Sequence, residues 1–189
     1  MTHRPAIETI WDEHLQVAAA LRPLAADVER AVTLIAGSMA AGGALLVCGN
    51  GGSAADAQHI AAELTGRFFR DRKPLRALAL HGNTSSLTAI GNDYGYDKVF
   101  AREVGAHGRE GDVLMALSTS GNSGNVLHAI EAAREKRMTV IGLTGADGGK
   151  MRDRCDLCLR VPSKSTPRIQ ECHILIGHTI CELLEQILC

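Results

Sequence analysis

His59 and Glu63 are the first residues of this 189-residue chain whose types and spacing could do chemistry together. Four positions apart, they share one face if the segment is helical. An imidazole that titrates near neutral pH beside a carboxylate can exchange protons with a substrate or ligate a cation. Alone, such a pair is more often a solvated surface contact. The preceding residues change that weighting. Gly49-Asn50-Gly51-Gly52 follows an apolar run, Ala44 to Cys48, and precedes an Ala-rich segment reaching Leu64. Bare glycines permit positive φ and let backbone approach a ligand closely. Ser53, with Asp56 three residues on, reads as a capping-box-like helix start. Strand, glycine turn and helix start together offer N–H groups and a positive helix end to an anion. The loop matches neither G-x-G-x-x-G nor a Walker loop, and no Lys follows the glycines. A phosphate ligand smaller than a dinucleotide or triphosphate is therefore favoured.

Ser118-Thr119-Ser120-Gly121-Asn122-Ser123 repeats this logic with hydroxyls: four in six residues, around a glycine, ahead of a helical segment. Neutral O–H donors and helix-start N–H groups suit an anion. A Ser/Thr/Gly cluster is more often only a capped turn, but two such loops after two strands of one sheet raise the phosphate reading. The last helical segment carries Arg168-Ile169-Gln170-Glu171-Cys172-His173 and then His178. At about 100° per residue, Gln170 and His178 lie roughly 80° apart, and His173 points about 140° away from His178. A lone His among Ile, Leu and Cys is more often a hydrogen-bonded core residue than a ligand.

The elements that must position these groups alternate. Ala6 to Leu21 has helical spacing, with Ile7, Ile10, Trp11 and Leu15 as an apolar stripe, and Pro23 interrupts it. A second helix covers Ala26 to Ala41 and stops at Gly42-Gly43. Strands are expected at Ala44–Cys48, Ala77–Leu80, Val113–Leu117, Met138–Leu143 and Leu157–Val161. Between them fall the Ala-rich helix, a charged turn at Arg70–Pro74, a short helix from Thr84 to Ile90, and a turn at Gly91–Gly95. Helices over Asp97–His107 and Val126–Lys136 follow, and a long one over Pro167–Leu188 has Thr166 as N-cap. This alternation predicts an α/β parallel sheet layered by helices, with ligands beyond the carboxyl ends of its strands. A single domain, 1–189, is expected: a helical pair over 1–43 for packing or association, and an α/β core over 44–189.

Composition bounds the function. A net charge of −1 disfavours a nucleic-acid or membrane surface held by bulk electrostatics. With 3% aromatic residues, stacking platforms for single-stranded bases are disfavoured too. No apolar run reaches the length of a membrane span, and the N-terminus lacks a signal-peptide core, so the cytoplasm is expected. The six cysteines are scattered, and Cys155-Asp-Leu-Cys158 has no second pair to complete a zinc knuckle, so reduced structural thiols are expected.

The ordered set GNGGSAADAQHIAAELTGR, GND, LSTSGNSGNV, LTGADGGKM and RIQECHILIGH resembles the sugar isomerase (SIS) domain family over Ala6 to Leu188, and within it the phosphoheptose isomerases. Each motif alone is weak; their joint order is highly specific. The resemblance implies a five-stranded parallel sheet flanked by helices, a flavodoxin-like three-layer sandwich with two N-terminal helices. It also implies a homotetramer with sites at subunit interfaces. Ser118, Thr119, Ser120 and Ser123, helped by Ser53, are implied as phosphate contacts. Asn50, Gly51, Gly52, Asn92, Asp93, Glu63 and Gln170 are implied as sugar contacts. Glu63 and His178 match an acid/base pair, and His59, Glu63, Gln170 and His178 match a zinc site of some members. The implied reaction is aldose–ketose isomerisation of sedoheptulose 7-phosphate through an enediolate, feeding heptose-containing cell-surface polysaccharide.

Two rivals share the motifs in part: a non-catalytic SIS homotetramer that binds the bacterial replication initiator, and a phosphosugar-sensing module. Intact Glu63 and His178 disfavour the first. The chain has no room for a DNA-binding domain beyond its first two helices, which disfavours the second.

Overall fold

The computed structural model describes residues 2–189. Its elements are α1 (Arg4–Ala19), α2 (Ala25–Ala40), β1 (Leu45–Cys48), α3 (Gly52–Thr65), β2 (Ala77–Ala79), α4 (Thr84–Tyr94), α5 (Val99–His107), β3 (Val113–Leu117), α6 (Gly124–Glu135), β4 (Thr139–Thr144), β5 (Leu157–Arg160) and α7 (Thr166–Leu188). The five strands form one sheet in the order β2-β1-β3-β4-β5, and every pairing is parallel. Strands buried on both faces read as continuous apolar runs, which is why Leu45–Cys48 and Val113–Leu117 are legible.

Alternate strand residues divide two cores. Leu45, Val47, Met115, Leu117, Ile141 and Leu143 pack with Ile35 of α2, Ile60 of α3 and Ile180 of α7. Leu46, Cys48, Leu114, Ala116 and Val140 face Phe100 of α5 and Ile130 of α6. The chain runs outward from β1 to β2 and then returns past it to β3, so the loops after β1 and β3 diverge. That divergence leaves a crevice at the carboxyl edge, the usual ligand position in such sheets.

Several expectations need correction. Ser53 does not cap α3: the N-cap is Gly51 at φ 57°, with no side-chain cap bond. Because the positive φ starts the helix at Gly52, Ser53 falls inside the first turn and is buried over Gly49, where an added Cβ would meet Ser53 Cβ at 2.7 Å. Gly91-Asn92-Asp93 is not a turn but the last part of α4; the break comes at Gly95, φ 84°. Asn83 rather than Thr84 caps α4, its side chain accepting from the Ser86 N–H. Ser165 rather than Thr166 is the N-cap position of α7. A 3-10 turn, Tyr96–Lys98, precedes α5.

All six cysteines are free thiols. Burial pushes Cys48, Cys155 and Cys181 up to about 12, with charge repulsion adding to it, which suits inert packing groups. No helix of the described residues is long and apolar enough to cross a membrane.

Candidate active site

α3 and α7 lie side by side and deliver the titratable groups. The Ile60 side chain of α3 seats on Gly177 of α7, where a Cβ would stand 2.7 Å from Ile60 Cδ1. A β-carbon at that position would displace the Ile60 side chain. The close seam brings His178 of α7 to His59 and Glu63 of α3. His59 Nε2 lies 3.0 Å from Glu63 Oε1 and 3.3 Å from His178 Nε2. The two imidazoles meet edge to face, centroids 4.7 Å apart. One ligand atom from each of His59, Glu63 and His178 lies within 4.8 Å of the other two. Two facing Nε2 atoms cannot both carry a proton without repulsion, so neutral rings need opposite tautomers or a shared cation.

A His₂Glu donor set of this kind suits Zn²⁺ with an open fourth position. The residues therefore fit the metal that the motif pattern implies. Gln170 sits elsewhere on the seam. Its amide packs on Gly52, where a Cβ would meet Gln170 Nε2, Oε1 and Cδ at 2.7–2.8 Å. Eight residues of α7 separate it from His178, about 12 Å of helical rise. Within one chain His59, Glu63 and His178 come together, and Gln170 lies against Gly52 at the start of α3.

His173 is the buried core histidine that sequence statistics anticipate. It is fully buried, with Nε2 3.3 Å from the Thr144 carbonyl oxygen. Burial lowers its pKa to about 4, the backbone hydrogen bond opposing only in part. Asp56, on the α7 side of α3, shows the opposite response: burial raises its pKa to about 6, the nearby His59 opposing.

The serine loop is held by its own hydrogen bonds. Ser118 Oγ and Ser123 Oγ are 2.9 Å apart, and Ser120 Oγ accepts from the Asn122 N–H. Gly121, at φ 65°, presses so close to Gly148 that a Cβ would fall 2.1 Å from its carbonyl oxygen. The loop is thereby fixed to the turn after β4. Ser123 makes no side-chain cap bond at the start of α6, and Asn125 Oδ1 takes the Val126 N–H, which leaves Gly124 and Asn125 to offer N–H groups beside the hydroxyls. Thr119 and Ser120 also line a cavity of about 280 Å³ with Asp147, Ser163, Lys164 and Thr166.

Sequence reading missed the link between the two loops. Asn50 and Asn125 form a reciprocal amide pair, at 2.9 and 2.8 Å. The Tyr96 hydroxyl donates to Asn50 Oδ1 at 3.4 Å. No sequence signal singles this pair out, because Gly-Asn occurs five times, at 49–50, 82–83, 91–92, 121–122 and 124–125. Asn92 and Asp93 lie exposed at the end of α4, Asn92 Nδ2 donating to Asp93 Oδ1. Gly51 and Gly52 are exposed at the α3 start.

In this single chain the titratable cluster is open, with side-chain exposures of 48% for His59 and 23% for Glu63. The apolar stripe of α1 also points outward, Trp11 at 65% and Leu15 at 63% exposure.

Known proteins resemble this chain closely. The SIS domain model matches residues 13–145. A phosphoheptose isomerase of Rhodospirillum rubrum is 63% identical over 162 residues, 86% of each chain. The solved phosphoheptose isomerase of Neisseria gonorrhoeae superposes with a TM-score of 0.93 at 46% identity, covering 98% of this chain and 100% of that one. That of Francisella tularensis gives 0.95 at 38% identity with the same coverage.

Proposed function

The chain belongs to the phosphoheptose isomerases of the SIS domain family, and from that premise we propose that it converts sedoheptulose 7-phosphate to D-glycero-D-manno-heptose 7-phosphate. The observation that carries the reading is the convergence of His59, Glu63 and His178 from two helices into one cluster. Carbonyl migration from C2 to C1 needs a base at the C1 proton and a proton carrier between O1 and O2. Glu63 takes the C1 proton, giving an enediolate, and returns a proton at C2. His178 moves the proton between the two oxygens, a task suited to imidazole.

Ser118, Thr119, Ser120 and Ser123, with Ser53 beneath and the α6 start behind, hold the phosphate and fix the sugar chain. Asn50, Gly51, Gly52, Asn92, Asp93 and Gln170 contact its hydroxyls. The Asn50–Asn125 pair keeps the two loops at one spacing. One zinc per subunit, held by His59, Glu63 and His178 with Gln170 from the family pattern, would supply Lewis-acid polarisation of the carbonyl.

The assembly is a homotetramer. The outward stripe of α1 and the open titratable cluster support this, because closing the site against water requires a neighbouring subunit. The setting is cytoplasmic, with no nucleic-acid or membrane partner, and the product supplies heptose for cell-surface polysaccharide. The test is a coupled assay with sedoheptulose 7-phosphate on purified protein, before and after chelation, with elemental analysis for zinc. Light scattering of the same sample is expected to report four copies of the 20.1 kDa chain. No turnover of sedoheptulose 7-phosphate by folded, zinc-replete protein would remove the assignment.

A further inference from the structure

Within the exposed charged run after α3, Arg72 alone turns inward. Arg72 and Glu185 form an ion pair at 3.1 Å with side chains only 4% and 2% exposed. Glu185 also accepts three successive backbone N–H groups, from Phe68, Phe69 and Arg70, at 3.2, 2.8 and 2.9 Å. Burial opposes its charge, but these amides and the Arg72 guanidinium outweigh it and hold the carboxyl below its ordinary range. Arg72 in turn caps the end of α3. Its Nη2 donates to the carbonyl of Glu63 itself at 2.8 Å, and Nη1 donates to Leu64 O at 2.7 Å and Gly66 O at 3.2 Å.

The loop so held delivers one side chain to the titratable cluster. Phe68 packs against His178 with ring centroids 5.6 Å apart, backed by Phe69 at 4.4 Å. Glu185 lies seven residues after His178, nearly in line with it along α7. One buried pair therefore touches the main chain of Glu63, the loop that wedges His178, and the helix that carries His178.

We propose that Arg72 and Glu185 are positioning residues for the isomerisation, setting the distance between the Glu63 carboxylate and the His178 imidazole through the Glu63 carbonyl and the Phe68 ring. This rests on the isomerase reading above. A fold-stabilising pair alone would lower the amount of active protein and leave the kinetics of the folded fraction unchanged. A positioning pair changes kcat at nearly constant KM, because the phosphate contacts lie on other loops.

The experiment uses the full-length protein. Glu185→Gln keeps size and removes the charge; circular dichroism and a melting curve establish that it folds. A displacement of about 1 Å at reacting groups costs roughly 10²-fold, so kcat is expected to fall by about that factor with KM within about threefold. In a Glu63→Gln background the same change should add little, because both act through one carboxylate. The His178 ring resonances, assigned by loss in His178→Gln, should shift in Glu185→Gln as the Phe68 ring moves. Unchanged resonances, or losses that multiply independently of Glu63→Gln, would overturn the proposal.

If Glu185→Gln does not fold, Arg72→Lys is read in the same way. Phe68→Leu leaves the ion pair intact and should lower kcat about tenfold; wild-type kcat in that variant would also count against it. A wild type without turnover sinks the isomerase reading, while the resonance measurement still decides the positioning role.

Discussion

The α3–α7 seam and the serine loop are built on different principles. The seam holds titratable groups, presented by helices that meet where Ile60 seats on Gly177. The loop holds neutral hydroxyls, fixed by short-range hydrogen bonds and by the contact of Gly121 with Gly148. A reaction that moves protons at one end of a substrate and grips a phosphate at the other needs this division. It teaches that damage to one region should leave the other's contribution standing, so kcat and KM should separate.

The hardest blow to that division falls on the seam. Glu63→Gln and His178→Gln should each lose about 10²–10⁴-fold in kcat while substrate binding by calorimetry is kept. A folded variant of either kind turning over near the wild-type rate would end the acid/base assignment. Deuterium washed from D₂O into C1 by the wild type would support the enediolate.

A second effect acts beneath both regions and sharpens their contrast with the scaffold. His173 has a folded pKa near 4, below its ordinary 6.5. The unfolded chain therefore binds the proton more readily, and stability falls as pH drops from 6.5 through 4. Fully expressed, the loss is about 3 kcal/mol. Glu185, lowered in the fold, contributes stability above its unfolded pKa that is lost as pH falls through its folded pKa. Asp56, raised in the fold to about 6, works the other way between pH 7 and pH 5. In an Asp56→Asn background the denaturant midpoint should therefore fall over that range, and adding His173→Gln should flatten the slope.

The serine loop should give a smaller and cleaner effect. Ser120→Ala with Ser123→Ala removes hydrogen bonds to a charged group, each worth about 1.5–3 kcal/mol. Affinity for the phosphosugar should fall at least about tenfold, with the melting temperature little changed. Calorimetry with no change in affinity would take these serines out of the site. The smallest expected effect is on metal retention. His59→Ala should weaken zinc binding, measured by elemental analysis after dialysis, while phosphate affinity stays the same. No zinc retained by the wild type would strike the metal from the proposal.

How much of this was legible depends on range. His59 and Glu63 four apart, the two loops and the buried strands are local patterns, and the sequence carries them openly. Strand order and the pairing of residues 59 and 178 are tertiary, and only the resemblance of the motif set supplied His178. The α3 cap was misplaced because Gly51 takes a positive φ that shifts the helix start by one or two residues. The GND segment read as a turn because Gly and Asn favour turns, yet Gly91 continues the helix until Gly95 breaks it. Arg72 was hidden inside a charged run, where composition suggests solvent and tertiary contacts bury it instead.

Between Ser118 and Ser123 there is no Lys or Arg, and this has a thermodynamic consequence. An anion captured by ion pairs displaces counterions from cationic side chains, so its affinity drops steeply with added salt. One captured by hydroxyl dipoles, amide N–H groups and the end of α6 exchanges water rather than counterions. Lys164, the cation beside the loop, is already paired with Asp147 at 3.5 Å, and the screened helix-end contribution is worth about 0.3–1 kcal/mol. Recognition of the phosphosugar should therefore hold nearly level as ionic strength rises, in a chain whose net charge of −1 attracts no anion from a distance.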